Sequence, residues 1–298
     1  PNTVEAMNNL AFSLSEAGEY EEALELQKAV EDALAETITA MNEKDGLVER
    51  GAGAVVEKIG TGEVLALASY PTYDLSTFFE DYNQILETDY DPLFNRALLG
   101  TYPPGSTYKM SMVVAGINSG VINSGTTIYD RGIWDQDGSA YDKYKEFQLY
   151  CLQYTNYGEI HEDVNAADAL KVSCNYFFYE VGRLLTIETM NKYDRAFGLG
   201  VPTGIELSER TGILAGPDYR NEHGLGAWNP GDTLAAAIGQ AENSFTPLQI
   251  SVYMSSILNN GIRMKTHLLH KVETLVNLQE VRWYLNLMKR ASLWKLAK

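Results

Sequence analysis

Two apolar runs, Ala52 to Ile59 and Glu63 to Tyr70, meet at Gly60-Thr61-Gly62 and constrain this chain more than any other feature. Each has strand length, and the glycines between them suit a tight hairpin turn rather than a phosphate loop. Both runs are too continuously apolar for a sheet wetted on one side, so the hairpin must be covered. Helical patterns supply the cover. Leu24, Ala29, Val30, Ala33, Leu34, Ile38 and Met41 recur as one face of an amphipathic helix. The segment from Ser106 to Gly120 reads as helix, and Ala166 to Gly182 as a helix pair broken at Ser173-Cys174-Asn175. Thr246-Pro247 opens a helix ending near Gly261, and Pro217 to Pro230 reads as a loop region. With 298 residues and 45% hydrophobic content, the chain can bury one large domain or two modest ones. No stretch approaches the roughly 18 apolar residues of a membrane span, and the start at Pro1 carries no signal peptide pattern. A net charge of −17 argues against nucleic acid as a partner, because phosphate affinity comes from Lys and Arg.

Chemistry concentrates at Ser106-Thr107-Tyr108-Lys109, preceded by Pro103-Pro104-Gly105. Residues three apart share a helix face, so a serine hydroxyl and a lysine amine can meet over one turn. The Pro-Gly turn sets Ser106 at the helix start, where unpaired N–H groups and the positive end of the dipole stabilise negative charge and favour a neutral lysine. A neutral Lys109 can then serve as general base for a serine nucleophile. The same spacing recurs at Ser292 and Lys295, without the preceding turn, and there it is accidental.

The first copy has company. Ser173-Cys174-Asn175 follows it, and Ser-x-x-Lys with Ser-x-Asn is the paired signature of penicillin-binding proteins and serine β-lactamases. Asn95-Arg96-Ala97, Phe197-Gly198-Leu199-Gly200, Thr203-Gly204-Ile205-Glu206-Leu207 and Thr246-Pro247-Leu248-Gln249 extend the likeness. From about Leu26 to His270 the chain resembles a class B, monofunctional penicillin-binding protein. The resemblance implies an α/β fold of the α+β type: an antiparallel sheet flanked by helices, with a helical subdomain and the cleft between them. It implies that Ser106 attacks the D-alanyl-D-alanine of a peptidoglycan stem peptide, with Lys109 as base. Ser173 would relay a proton to the departing D-alanine, and Asn175 would bond Lys109 and the donor peptide. β-Lactams would acylate the same serine. No cofactor and no metal follow from it. Full-length relatives would be anchored at the extracytoplasmic face of a bacterial membrane and work with a glycosyltransferase.

One element departs from the family. No Lys-Thr-Gly occurs, and Lys265-Thr266-His267 falls too early and lacks the glycine that lets a ligand approach the backbone. Later sheet strands are therefore expected to be missing and cross-linking to be impaired. After His270, residues 271–298 turn basic, six Lys/Arg against two Glu, and read as a divergent tail, as a shifted reading frame would produce. Residues 1–24 resemble a single tetratricopeptide repeat, leaving 25–270 as an incomplete transpeptidase domain. Other readings stay open: a β-lactam-binding sensor or pseudoenzyme, a helical-repeat interaction protein, and a β-lactamase. His267 and His270 lack the cysteine or carboxylate neighbours of a zinc site. Cys174 is expected to point away from the cleft as a buried thiol, and with Cys151 it allows one disulfide.

Overall fold

The computed structural model describes residues 20–46, 50–134 and 149–268. Most of the repeat-like segment, the stretch after Leu268 and the Ser292/Lys295 pair lie outside these residues.

Helix α1 (Tyr20–Asp45) runs across the expected boundary at residue 24 and packs on the hairpin of β1 (Ala52–Lys58) and β2 (Glu63–Tyr70). The strands are antiparallel, register Ala52 with Tyr70, and carry a bulge at Val56/Glu57. As the apolar runs require, β2 is almost wholly buried, whereas β1 is half-buried along its length. The outer edge of β2 is closed by unusual partners. Gln27 of α1 accepts from Leu67 N–H at 2.9 Å and donates to Leu67 C=O at 3.0 Å, so one side-chain amide fills both ladder positions. Nearer the turn, Val64 N–H donates to His267 C=O at 3.0 Å and His267 N–H to Gly62 C=O at 2.9 Å. Lys265-Thr266-His267 thus lies along the hairpin turn. Among the described residues, no strand pairs with the free edge of β1.

The remaining elements are mostly helical. They are α2 (Tyr82–Glu87), a 3₁₀ turn (Gly105–Tyr108) continuing into α3 (Lys109–Asn118), β3 (Ile128–Asp130), β4 (Ile133–Trp134), β5 (Leu149–Tyr150), α4 (Leu152–Tyr157) and β6 (Glu162–Val164). Then come α5 (Ala166–Lys171), α6 (Asn175–Leu185), α7 (Ile187–Phe197), α8 (Pro217–His223), α9 (Pro230–Ala237) and α10 (Pro247–Leu258). The strand pairs β3–β6 and β4–β5 are too short to show a period in sequence. Helix α8 corrects the expected loop at 217–230. Pro217 takes the N1 position its fixed φ favours, Asp218 sits in the first turn, and Gly224 closes the helix at φ 65°.

Two cores result. The larger gathers Tyr108, Met112, Phe177, Phe178, Met190, Leu234 and Phe245 between α3, α6, α7 and α9, all fully or almost fully buried. Gly182 lets α6 approach α9, since a Cβ there would come within 2.5 Å of Ala237 Cβ. The smaller joins the hairpin to α10 through Val64, Leu67, Leu248 and Val252. Thr246 and Gln249 form the capping box that starts α10, and the Gln249 amide also donates to the carbonyls of Val201 and Thr211 at 3.0 and 2.7 Å.

Candidate active site

The site is built on two helix starts and one helix end. Tyr102 and Phe245 exchange N–H···O bonds of 2.9 Å, and Gly105 N–H donates to Gly239 C=O at 3.0 Å, which pins the entry to the 3₁₀ turn. Gly239 has φ 74°, and a Cβ there would lie 2.2 Å from Gly105 O, so only glycine fits. Ser106 follows in the first turn, exposed to solvent, where its N–H has no intrahelical acceptor. Lys109, one turn on, begins α3 and is 1% exposed.

Ser173-Cys174-Asn175 is a helix C-cap fused to a helix N-cap. Ser173 N–H donates to Leu170 C=O at 3.2 Å and Cys174 N–H to Ala169 C=O at 2.9 Å, the paired bonds of a Schellman motif ending α5. That motif demands a left-handed residue, normally glycine, and Ser173 fills it at φ 54°. Such a conformation costs about 1–3 kcal/mol and persists because both flanking helices determine it. Cys174 then caps α6, its Sγ accepting from Phe177 N–H at 3.4 Å, and Asn175 takes the first helical position.

These elements bring all four expected residues together. Lys109 Nζ donates to Ser173 C=O at 2.9 Å, to Asn175 Oδ1 at 2.6 Å and to Ser173 Oγ at 3.0 Å. Ser173 Oγ is in turn 2.9 Å from Ser106 Oγ. The spacing predicts a direct serine–lysine contact, but the hydrogen-bonded path runs through the second serine. Burial strips water from Lys109 and lowers its pKa to about 8, while the neighbouring Cys174 and Cys151 act in the opposite direction. The partners fix where a proton can be gained. Two are carbonyl oxygens, which only accept, so a neutral Lys109 keeps its two N–H bonds there and turns its lone pair toward Ser173 Oγ. Ser173 can then give its proton to Lys109 and receive one from Ser106.

Behind this chain lies a second cluster. Asp130 Oδ2 accepts from His161 Nδ1 at 2.7 Å and from Cys174 Sγ at 3.3 Å, and Cys151 Sγ stands 4.0 Å from Cys174 Sγ. Both cysteines are buried free thiols, Cys174 Sγ is directed at Asp130, and the allowed disulfide is not formed. Burial opposes ionisation of Asp130, yet donors from Gly132 N–H, His161 and the thiols hold its pKa below the ordinary value. The four donor atoms lie within 4.8 Å of one another, and one carboxylate, one imidazole and two sulfurs are a set that can hold a zinc ion. Sequence reasoning weighed only His267 with His270, because these four residues come from separate segments with no local spacing.

The family described as the penicillin binding protein transpeptidase domain matches residues 52–297. The chain belongs to that family. Among curated members of this transpeptidase family, it is 34% identical over 238 residues to the peptidoglycan D,D-transpeptidase MrdA of Escherichia coli strain K12, covering 78% of this chain and 36% of the relative. The chain therefore spans about a third of the length of such relatives. PBP2 of Pseudomonas aeruginosa, solved in complex with WCK 5153, superposes with a TM-score of 0.65 at 27% identity, covering 73% of this chain and 46% of that one. PBP2 of Helicobacter pylori, solved in complex with MreC, gives 0.64 at 28% identity, covering 74% and 39%. These likenesses establish the transpeptidase fold of mixed helices and antiparallel strands.

Proposed function

We propose that the chain carries the acylating site of a peptidoglycan D,D-transpeptidase, and one observation supports this above the others: Lys109, Ser173 and Ser106 form a continuous hydrogen-bonded path closed by Asn175. Neutral Lys109 draws the Ser106 proton through Ser173, and Ser106 Oγ attacks the carbonyl carbon between the two terminal D-alanines of a stem peptide. First-turn N–H groups at Ser106 face the developing oxyanion. The C–N bond breaks, and the proton held by Lys109 returns through Ser173 to the departing D-alanine amine. An amine of a second stem peptide then attacks the ester, forming the cross-link and restoring the Ser106 hydroxyl. A β-lactam follows the first half alone, because its opened ring stays attached and the amine cannot leave.

The site operates at the extracytoplasmic face of a bacterial membrane, where peptidoglycan lies, with a glycosyltransferase supplying glycan strands. Among the described residues, no helix is long and apolar enough to cross a membrane.

A fluorescent penicillin tests the proposal. Wild type and Ser292→Ala should label equally while Ser106→Ala does not label, and a well-folded wild type that stays unlabelled would overturn it.

A further inference from the structure

Asp194 is a fully buried carboxylate that the acylation chemistry does not use. It projects from α7 to the back of the nucleophile helix. Oδ1 accepts from Ser111 Oγ at 2.6 Å, and Oδ2 accepts from Tyr108 OH at 2.5 Å. Tyr108 and Ser111 are three apart and share a face, as do Ser106 and Lys109. The two pairs are offset by two residues, which turns their faces about 200° apart at α-helical pitch and about 240° across the 3₁₀ turn. Asp194 therefore grips the side opposite the one that carries the reacting groups. A second grip comes from Tyr253 of α10, whose hydroxyl accepts from Ser111 N–H at 2.8 Å and lies 3.2 Å from Thr107 C=O. Phe245 stacks on the Tyr108 ring at 6.4 Å.

Packing alone would not call for a carboxylate here. Burying one is costly unless it is hydrogen-bonded, and apolar side chains of similar volume often hold helices together as well or better. Paired directional bonds add an angle that packing lacks: they fix the roll of the helix about its own axis. Roll matters because Lys109 must meet three acceptors on the α5–α6 junction at once. A misplacement of about 1 Å can cost about 10²-fold in rate.

We infer that Asp194 is a positioning residue for the acylation reaction, setting the roll of α3 through Tyr108 and Ser111 so that Lys109 reaches Ser173 and Asn175. This rests on the proposed acylation, and the test separates the two.

The experiment measures acylation by a fluorescent penicillin in stopped flow, resolving the dissociation constant from the acylation rate. Alongside, the Lys109 titration is followed by NMR on protein carrying 13Cε-lysine, and thermal unfolding checks the fold. Asp194→Ala should lower the acylation rate about 10²-fold with little change in the dissociation constant, and should move the Lys109 midpoint from about 8 toward the ordinary 10.5. Asp194→Asn, which keeps one acceptor and the shape, should recover most of both. A folded Asp194→Ala protein with wild-type rate and midpoint would overturn the inference. If that variant does not fold, Tyr108→Phe and Ser111→Ala decide, each removing one of the two bonds. Both should slow acylation and raise the midpoint, and no change in either would overturn it. A wild type that is never acylated sinks the proposed function, while the Lys109 midpoint still judges Asp194.

Discussion

The helical half and the hairpin half of this molecule are held in different ways. Around α3, α6, α7 and α9, large side chains such as Phe177, Phe178 and Met190 are fully buried, and a polar network of Tyr108, Asp194 and Tyr253 runs through them. The hairpin has one buried strand, one half-buried strand and a β2 edge on which Gln27 and His267 make the ladder bonds. The residues of the proposed acylating site, Ser106, Lys109, Ser173 and Asn175, all sit in the first half. A strained serine, a buried lysine and a buried carboxylate each cost free energy, and they persist where surrounding burial is greatest. A sheet edge needs only hydrogen bonds, and side chains can supply them.

Substitutions can break this contrast. Lys109→Ala should lower acylation by a penicillin about 10²–10⁴-fold, as loss of a general base does, and should lower the thermal midpoint, because it strands Ser173 C=O and Asn175 Oδ1 and leaves a cavity. A comparable loss of stability with unchanged acylation would place the base elsewhere. Phe177→Ala, in the larger core, should cost about 3–5 kcal/mol in urea unfolding. If it costs no more than a change on β1, the two halves are not held differently. Gln27→Ala should cost about 1–3 kcal/mol, since it strands the buried N–H and C=O of Leu67. A neutral result would mean that the β2 edge is open to other partners. Val55→Ala, on half-buried β1, should cost about 1 kcal/mol or less.

Acidity sharpens the same contrast. In the proposed acylation neutral Lys109 is the base, and burial lowers its pKa to about 8, so the acylation rate should climb about tenfold per pH unit below that value and level off above it. A rate still climbing toward pH 10 would show a lysine that keeps its water and sits outside the buried half.

The residues that the structure gathers at the proposed site were legible because their constraints are local. Ser106 and Lys109 share one turn, Ser173 and Asn175 flank one helix junction, and Thr246 with Gln249 writes its own capping box. What joins distant segments was not legible. The link from Lys109 to Ser106 through Ser173 depends on how α5 packs against α3, and a spacing of three suggests direct contact instead. Asp194 lies 83 residues from Ser111 on an unremarked amphipathic helix. Asp130, Cys151, His161 and Cys174 meet only because β3, β6 and the cap of α6 converge. Helix α8 was hidden by the glycines and asparagines around it, although its proline start and glycine end follow ordinary capping rules.

The central proposal is that Ser106, Lys109, Ser173 and Asn175 form an acylating site. Intact-mass analysis after incubation with benzylpenicillin, followed by peptide mapping, tests it most directly. The account predicts one covalent penicilloyl adduct per chain, on the peptide containing Ser106, and none on Ser106→Ala. A folded wild type with no adduct, or with its adduct on another residue, would contradict it.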